Sequence, residues 1–166
     1  MQATKIPVAV VMQRRATQNR WQSEVWEPHA VLADYAGEAG ARLLRDDGSC
    51  AQWLHAGLEL CLHRDEAEGY YLNVSTETPK IFVMWRMEPD GAQAGAGEHG
   101  VPQLVTASYN EAGRLMDGGE RVDTVGMPAE LLAWVGEYVE RNYRPEPKKR
   151  RRPQSFVSPA QRGKGS

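Results

Sequence analysis

The sequence predicts a mainly β (α+β) protein, an antiparallel β-sandwich or barrel of about six to seven strands with one C-terminal amphipathic helix. Three observations carry this expectation. Short runs of β-branched and aromatic residues recur along the chain, separated by turn-forming Gly, Pro, Asn and Asp. Gln52 to His63 alternates with a period of two. An apolar stripe at helical spacing stands behind Met127-Pro128.

Ile6 to Arg14 is rich in Val, with Pro7 near its start, where a strand tolerates proline. Thr17-Gln18-Asn19 is a turn, and Trp21 to Ala33 is a second extended segment with Pro28 marking an edge or bulge. Ala39 to Leu44 suits one helical turn, and Asp46-Asp47-Gly48 is a turn. In Gln52 to His63, Leu54, Ala56, Leu58, Leu60 and Leu62 fall on one face. Asp65 to Gly69 then turns, and Tyr70 to Ser75 reads as the return strand of a hairpin. Lys80 to Met87 is the strongest strand of the chain. Gly91 to Gly100 is a glycine-rich loop, Gln103 to Tyr109 another strand, Asn110 to Gly119 a turn with a short helix, and Glu120 to Val125 a short strand. Pro128 opens a helix over residues 128–142, with Leu131, Leu132, Val135, Tyr138 and Val139 as its apolar stripe. Pro145 ends it.

Residues 1–144 are thus expected to form a single β-rich domain, and 145–166 a basic, proline-containing disordered tail. With 166 residues, 41% hydrophobic and 25% charged, the chain has ordinary globular proportions. No apolar run approaches the ~20 residues of a membrane helix, and the two cysteines, Cys50 and Cys61, fit a reduced cytoplasmic protein. The net charge of −2 hides an asymmetry. Residues 145–166 hold seven bases and one acid, and residues 1–144 hold 13 bases and 21 acids. An acidic body therefore carries a basic tail.

Candidate sites are few. Gly95 to Gly100 spells G-x-G-x-x-G, but Val101-Pro102 and a strand follow where a phosphate loop needs a helix. His55, Glu59, Cys61 and His63 fall on one strand face; His55, Cys61 and His63 are donors that suit zinc, yet a fourth ligand is missing and no metal or cofactor is expected. No nucleophile motif is present, so an enzyme is not expected and no catalytic residue is assigned. Trp21 and Trp26 lie on opposite faces of a regular strand, so one is exposed; beside Arg14 and Arg15 it offers a partner-binding patch. The run Lys148, Lys149, Arg150, Arg151 and Arg152 offers a second contact region, for a protein partner ahead of nucleic acid.

Several segments together carry a resemblance: Val10 to Arg15 (VVMQRR), the Trp21 and Trp26 pair, Thr124 to Val139 (TVGMPAELLAWVGEYV), and Tyr143 to Pro147 before the basic run. The chain resembles a bacterial family that carries a domain-of-unknown-function label. Its members are typically encoded beside genes for molybdenum-dependent formate dehydrogenase. Some bear the automatic label molybdopterin-guanine dinucleotide biosynthesis protein A. That label implies a glycine-rich nucleotide loop near the N-terminus, whereas this chain has no glycine before Gly37. The missing catalytic motifs and export signal predict a cytoplasmic, non-enzymatic accessory protein, and the resemblance implies that its partner is a dehydrogenase subunit or maturation factor. The alternatives are a pterin- or nucleotide-handling enzyme of molybdenum cofactor biosynthesis and a nucleic-acid binder acting through the tail.

Overall fold

A computed structural model describes residues 4–89 and 97–145. Among these residues the strands form two antiparallel sheets, and neither sheet closes into a barrel. The first sheet has the order β2-β1-β4-β3, from β1 (Lys5–Ala16), β2 (Glu24–Ala33), β3 (Gly40–Asp46) and β4 (Cys50–Cys61). The second has the order β6-β5-β7, from β5 (Lys80–Pro89), β6 (Glu98–Thr106) and β7 (Arg121–Gly126). Three α-helices accompany them: α1 (Ala67–Val74), α2 (Tyr109–Asp117) and α3 (Ala129–Asn142). α3 is the expected C-terminal helix, α2 falls where a short helix was expected within Asn110 to Gly119, and α1 stands where a strand was expected.

β1 is apolar without interruption from Val8 to Met12 because both of its faces are covered. Val8, Val10 and Met12 face a core shared with Ile81, Val83 and Trp85 of β5 and with Leu131 and Val135 of α3. Ala9 and Val11 pack with Leu54 on the opposite face, under Ala30 and Tyr35.

The regular alternation expected along β4 does not survive Gly57. Val8 pairs with Leu58 but Val10 pairs with His55, so two residues of β4 oppose one of β1. Gly57 sits at φ +87°, and a β-carbon there would lie 2.6 Å from the Cα of Ala39. Only glycine fits that bulge. Beyond it the faces exchange: Trp53 and His55 turn toward the shared core together with Leu58 and Leu60, whereas Leu54 turns away.

The hairpin strand expected at Tyr70 to Ser75 is helix α1, and tertiary contacts explain why. The Tyr70 hydroxyl accepts a hydrogen bond from the His63 amide at 2.9 Å, and its ring meets Tyr138 edge-on. The fully buried Asn73 donates to the carbonyls of Lys80 (2.6 Å) and Ala107 (2.9 Å) and accepts from the Lys80 amide at 2.9 Å. One side chain thereby ties α1 to the start of β5 and the end of β6, which overrides the strand preference of Tyr and Val. Ala39 to Leu44, expected as a helical turn, falls largely within strand β3, all of whose residues are exposed. With no buried face it carries no hydrophobic period to read.

Other boundaries also move. Trp21 lies in a turn before β2. Glu98 to Gly100, expected as loop, begin β6, and Gly97 ahead of them has φ +82°. The strand expected to run to Tyr109 ends at Thr106, because Ser108 caps α2 by accepting the Glu111 amide at 3.1 Å. In α3, Leu131, Val135, Tyr138 and Val139 are buried, but Leu132 is 36% exposed and leaves the expected stripe. Among the described residues no helix is long and apolar enough to cross a membrane.

Candidate functional site: a tryptophan-lined groove where the sheets meet

The turn before β2 is fixed by its own polar side chains. The Thr17 amide bonds the Ser23 carbonyl at 2.9 Å, the Asn19 amide bonds Thr17 Oγ1 at 3.2 Å, and Asn19 Oδ1 accepts the Trp21 amide at 2.9 Å. Such side-chain-to-backbone bonds hold a turn without a hydrophobic anchor. The Trp21 indole is therefore presented to solvent, 88% exposed, by an ordered loop. The expectation that one of Trp21 and Trp26 is exposed matches this arrangement, since Trp26 is 9% exposed. The cause differs, because Trp21 lies in the turn ahead of the strand.

Trp21 stands at a groove of about 660 Å³. Gln22, Ser23, Glu24 and Trp26 line it from the first sheet's side, and Trp85, Met87, Glu98, Arg121 and Asp123 from the second. Trp85 donates its indole N–H to Asp123 Oδ2 at 2.7 Å, and the Arg121 guanidinium lies over the Trp85 ring, 4.9 Å from its centroid. Gly100 lets the walls close: a β-carbon there would sit 3.1 Å from the Trp26 ring and 3.2 Å from that of Trp85. A smaller pocket of about 230 Å³ shares Trp85, Met87 and Arg121. On its wall Arg86 pairs with Glu120 and lowers that carboxyl's pKa.

Behind Trp26 lies an aromatic–cation cluster. The rings of Trp26, Trp53 and His99 lie 5.1–5.2 Å apart, centroid to centroid. The Arg14 guanidinium caps Trp26 at 5.9 Å and Trp53 at 5.2 Å and lies 3.8 Å from Asp46. Of the expected partner-binding residues, the fold brings Arg14, Trp21 and Trp26 to one region. Arg15 is separated from them, pairing instead with Glu27 at 2.8 Å. Lys148, Lys149, Arg150, Arg151 and Arg152 lie outside the described residues.

The face on which His55, Cys61 and His63 were expected to lie together is broken up by the bulge at Gly57. His55 pairs with Val10 on the core face, Cys61 pairs with Lys5 on the other, and His63 lies past the strand. Burial first, and His99 second, push the pKa of His55 down to about 4. Burial raises that of Cys61. Among the described residues no group of three or more His, Cys, Asp or Glu is placed to hold a metal ion.

A buried polar cluster escaped sequence reasoning. The Glu66 carboxylate, almost wholly buried, accepts Ser108 Oγ at 3.1 Å and pairs with Arg114. A β-carbon at Gly69 would lie 2.1 Å from Ser108 Oγ, so α1 approaches this cap closely. The Ser108-x-x-Glu111 spacing, a capping-box pattern, was the available signal. The groove residues Glu24, Trp85, Met87, Glu98, Arg121 and Asp123 carry no comparable signature, since they come from four separate strands.

The fold and the groove define a mainly β scaffold of two antiparallel sheets with an aromatic-lined opening between them. Residues 7–152 match the family described as "Protein of unknown function (DUF3305)", and the chain belongs to that family. No curated protein and no solved structure matches it.

Proposed function

We propose that this protein is a cytoplasmic, non-enzymatic accessory protein that docks a partner protein at the Trp21 groove. The observation that carries the reading is the indole of Trp21, held in solvent by a turn that has no structural need of it. Tryptophan and arginine are favoured at the energetic hot spots of protein interfaces, and Trp21 lines the same groove as Arg121.

The partner we propose is a subunit or maturation factor of a molybdenum-dependent formate dehydrogenase, a choice that rests on the resemblance to bacterial proteins encoded beside such enzymes. The test is affinity capture of the full chain from its native host. A dehydrogenase component is expected with the wild type, reduced about tenfold or more by Trp21→Ala, whose exposed side chain can be removed without a cavity. Absence of any dehydrogenase component, or equal capture by Trp21→Ala, would overturn the reading.

A further inference from the structure

We propose that the groove accepts a cationic peptide segment, and that its occupant in the free protein is this chain's own C-terminal segment, residues 146–166. This goes beyond the docking reading and holds whichever partner the protein serves. The rim carries three carboxylates, Glu24, Glu98 and Asp123, against one cation, Arg121. That cation is already committed, lying over Trp85, whose indole N–H is bound by Asp123. Glu24 and Glu98 have no ion pair among the described residues. Between them and the open Trp21 ring, a lysine or arginine would gain a carboxylate on one side and an aromatic face on the other.

Residues 146–166 supply that chemistry. They hold Lys148, Lys149, Arg150, Arg151, Arg152, Arg162 and Lys164 against the single acid Glu146, with Phe156 and Val157 between the two basic clusters. The rest of the chain is acidic by eight charges, so attraction between the two parts is built into the sequence. The segment follows Pro145, near Tyr71, on which Tyr143 stacks; when extended it spans up to roughly 70 Å, against about 40 Å for β1, the length of the first sheet, so Arg162 and Lys164 have the reach to span the sheet, whereas Arg152 lies at most about 25 Å along it. The family match extends through Arg152 and so includes the main basic cluster.

The test uses the full chain and a synthetic peptide of residues 146–166 as probe, titrated by calorimetry at low salt. A full-length variant carrying Lys148→Gln, Lys149→Gln, Arg150→Gln, Arg151→Gln, Arg152→Gln, Arg162→Gln and Lys164→Gln has its own segment stripped of all seven bases. It is expected to bind the peptide about fivefold or more tightly than the wild type, because the tethered competitor is gone. Adding Glu24→Gln and Glu98→Gln to that variant should weaken binding about tenfold, and raised salt should weaken it too. Both glutamates are exposed, so their replacement leaves the core intact. Equal affinity of the wild-type and neutralised chains would overturn the assignment of the occupant. Binding indifferent to Glu24→Gln and Glu98→Gln, or no binding, would overturn the groove as a cation acceptor. No dehydrogenase enters this assay, so its failure and that of the docking reading are distinguishable.

Discussion

Leu131 and Leu132 are neighbours in sequence but not in environment. Leu131 is fully buried against the shared core, while Leu132 is partly open to water. Leu131→Ala is therefore expected to cost about 2–5 kcal/mol and Leu132→Ala under about 1 kcal/mol, as urea melts would show. Equal losses would place both in the core. His55 yields a prediction of a different kind. Burial and the neighbouring His99 push its pKa down to about 4 from the ordinary histidine value of 6.5, so between those values the unfolded chain takes up a proton that the folded chain refuses. Stability from this group is complete above pH 6.5 and declines as the pH falls toward 4. Urea midpoints measured between pH 7 and 4 should thus fall less steeply in His55→Gln than in the wild type. An identical pH profile would mean that His55 titrates as an exposed histidine.

At the scale of elements, what could be read in the sequence depended on what each segment buries. β1 and β5 have apolar cores covered on both sides, and such runs announce themselves. α3 repeats its buried positions at helical spacing behind a proline, so its limits were legible to within a residue. β3 buries nothing and left no pattern. α1 is eight residues long and held by Tyr70 and Asn73, whose partners lie elsewhere in the chain, so local propensity pointed the wrong way. In β4 one glycine reversed the faces and carried His55 away from Cys61. That bulge makes a testable demand. Gly57→Ala combines a left-handed backbone with a clash against the Ala39 backbone, and it should lose about 1–3 kcal/mol or more. Gly113→Ala, in α2 with open space around it and no left-handed backbone, should gain roughly 0.5–1 kcal/mol. Chemical denaturation of the two variants gives the comparison, and a tolerated Gly57→Ala would remove the bulge as the reason for the face reversal.

For the whole molecule, the groove and the core are consequences of one arrangement. Trp21 and Trp26 stood out in the sequence, but the wall opposite them comes from the second sheet, and nothing local to Trp85, Arg121 or Asp123 signals that they meet. The same meeting of sheets sets how the protein should unfold. Val8, Val10 and Met12 of the first sheet, Ile81, Val83 and Trp85 of the second, and Tyr70 and Leu131 of the helices belong to a single buried cluster. Neither sheet keeps a covered inner face if the other leaves, so partial unfolding would expose apolar surface at about 25 cal/mol per Å² with no compensating burial. A single cooperative transition is expected. Trp26, Trp53 and Trp85 lie where the sheets meet, so tryptophan fluorescence reports their separation, while far-ultraviolet circular dichroism reports strands and helices wherever they are. The two signals should share one urea midpoint, with a slope of about 1–3 kcal/mol per molar urea. Fluorescence that changes at lower urea than dichroism would reveal sheets that part before they melt, and would overturn the single-core account.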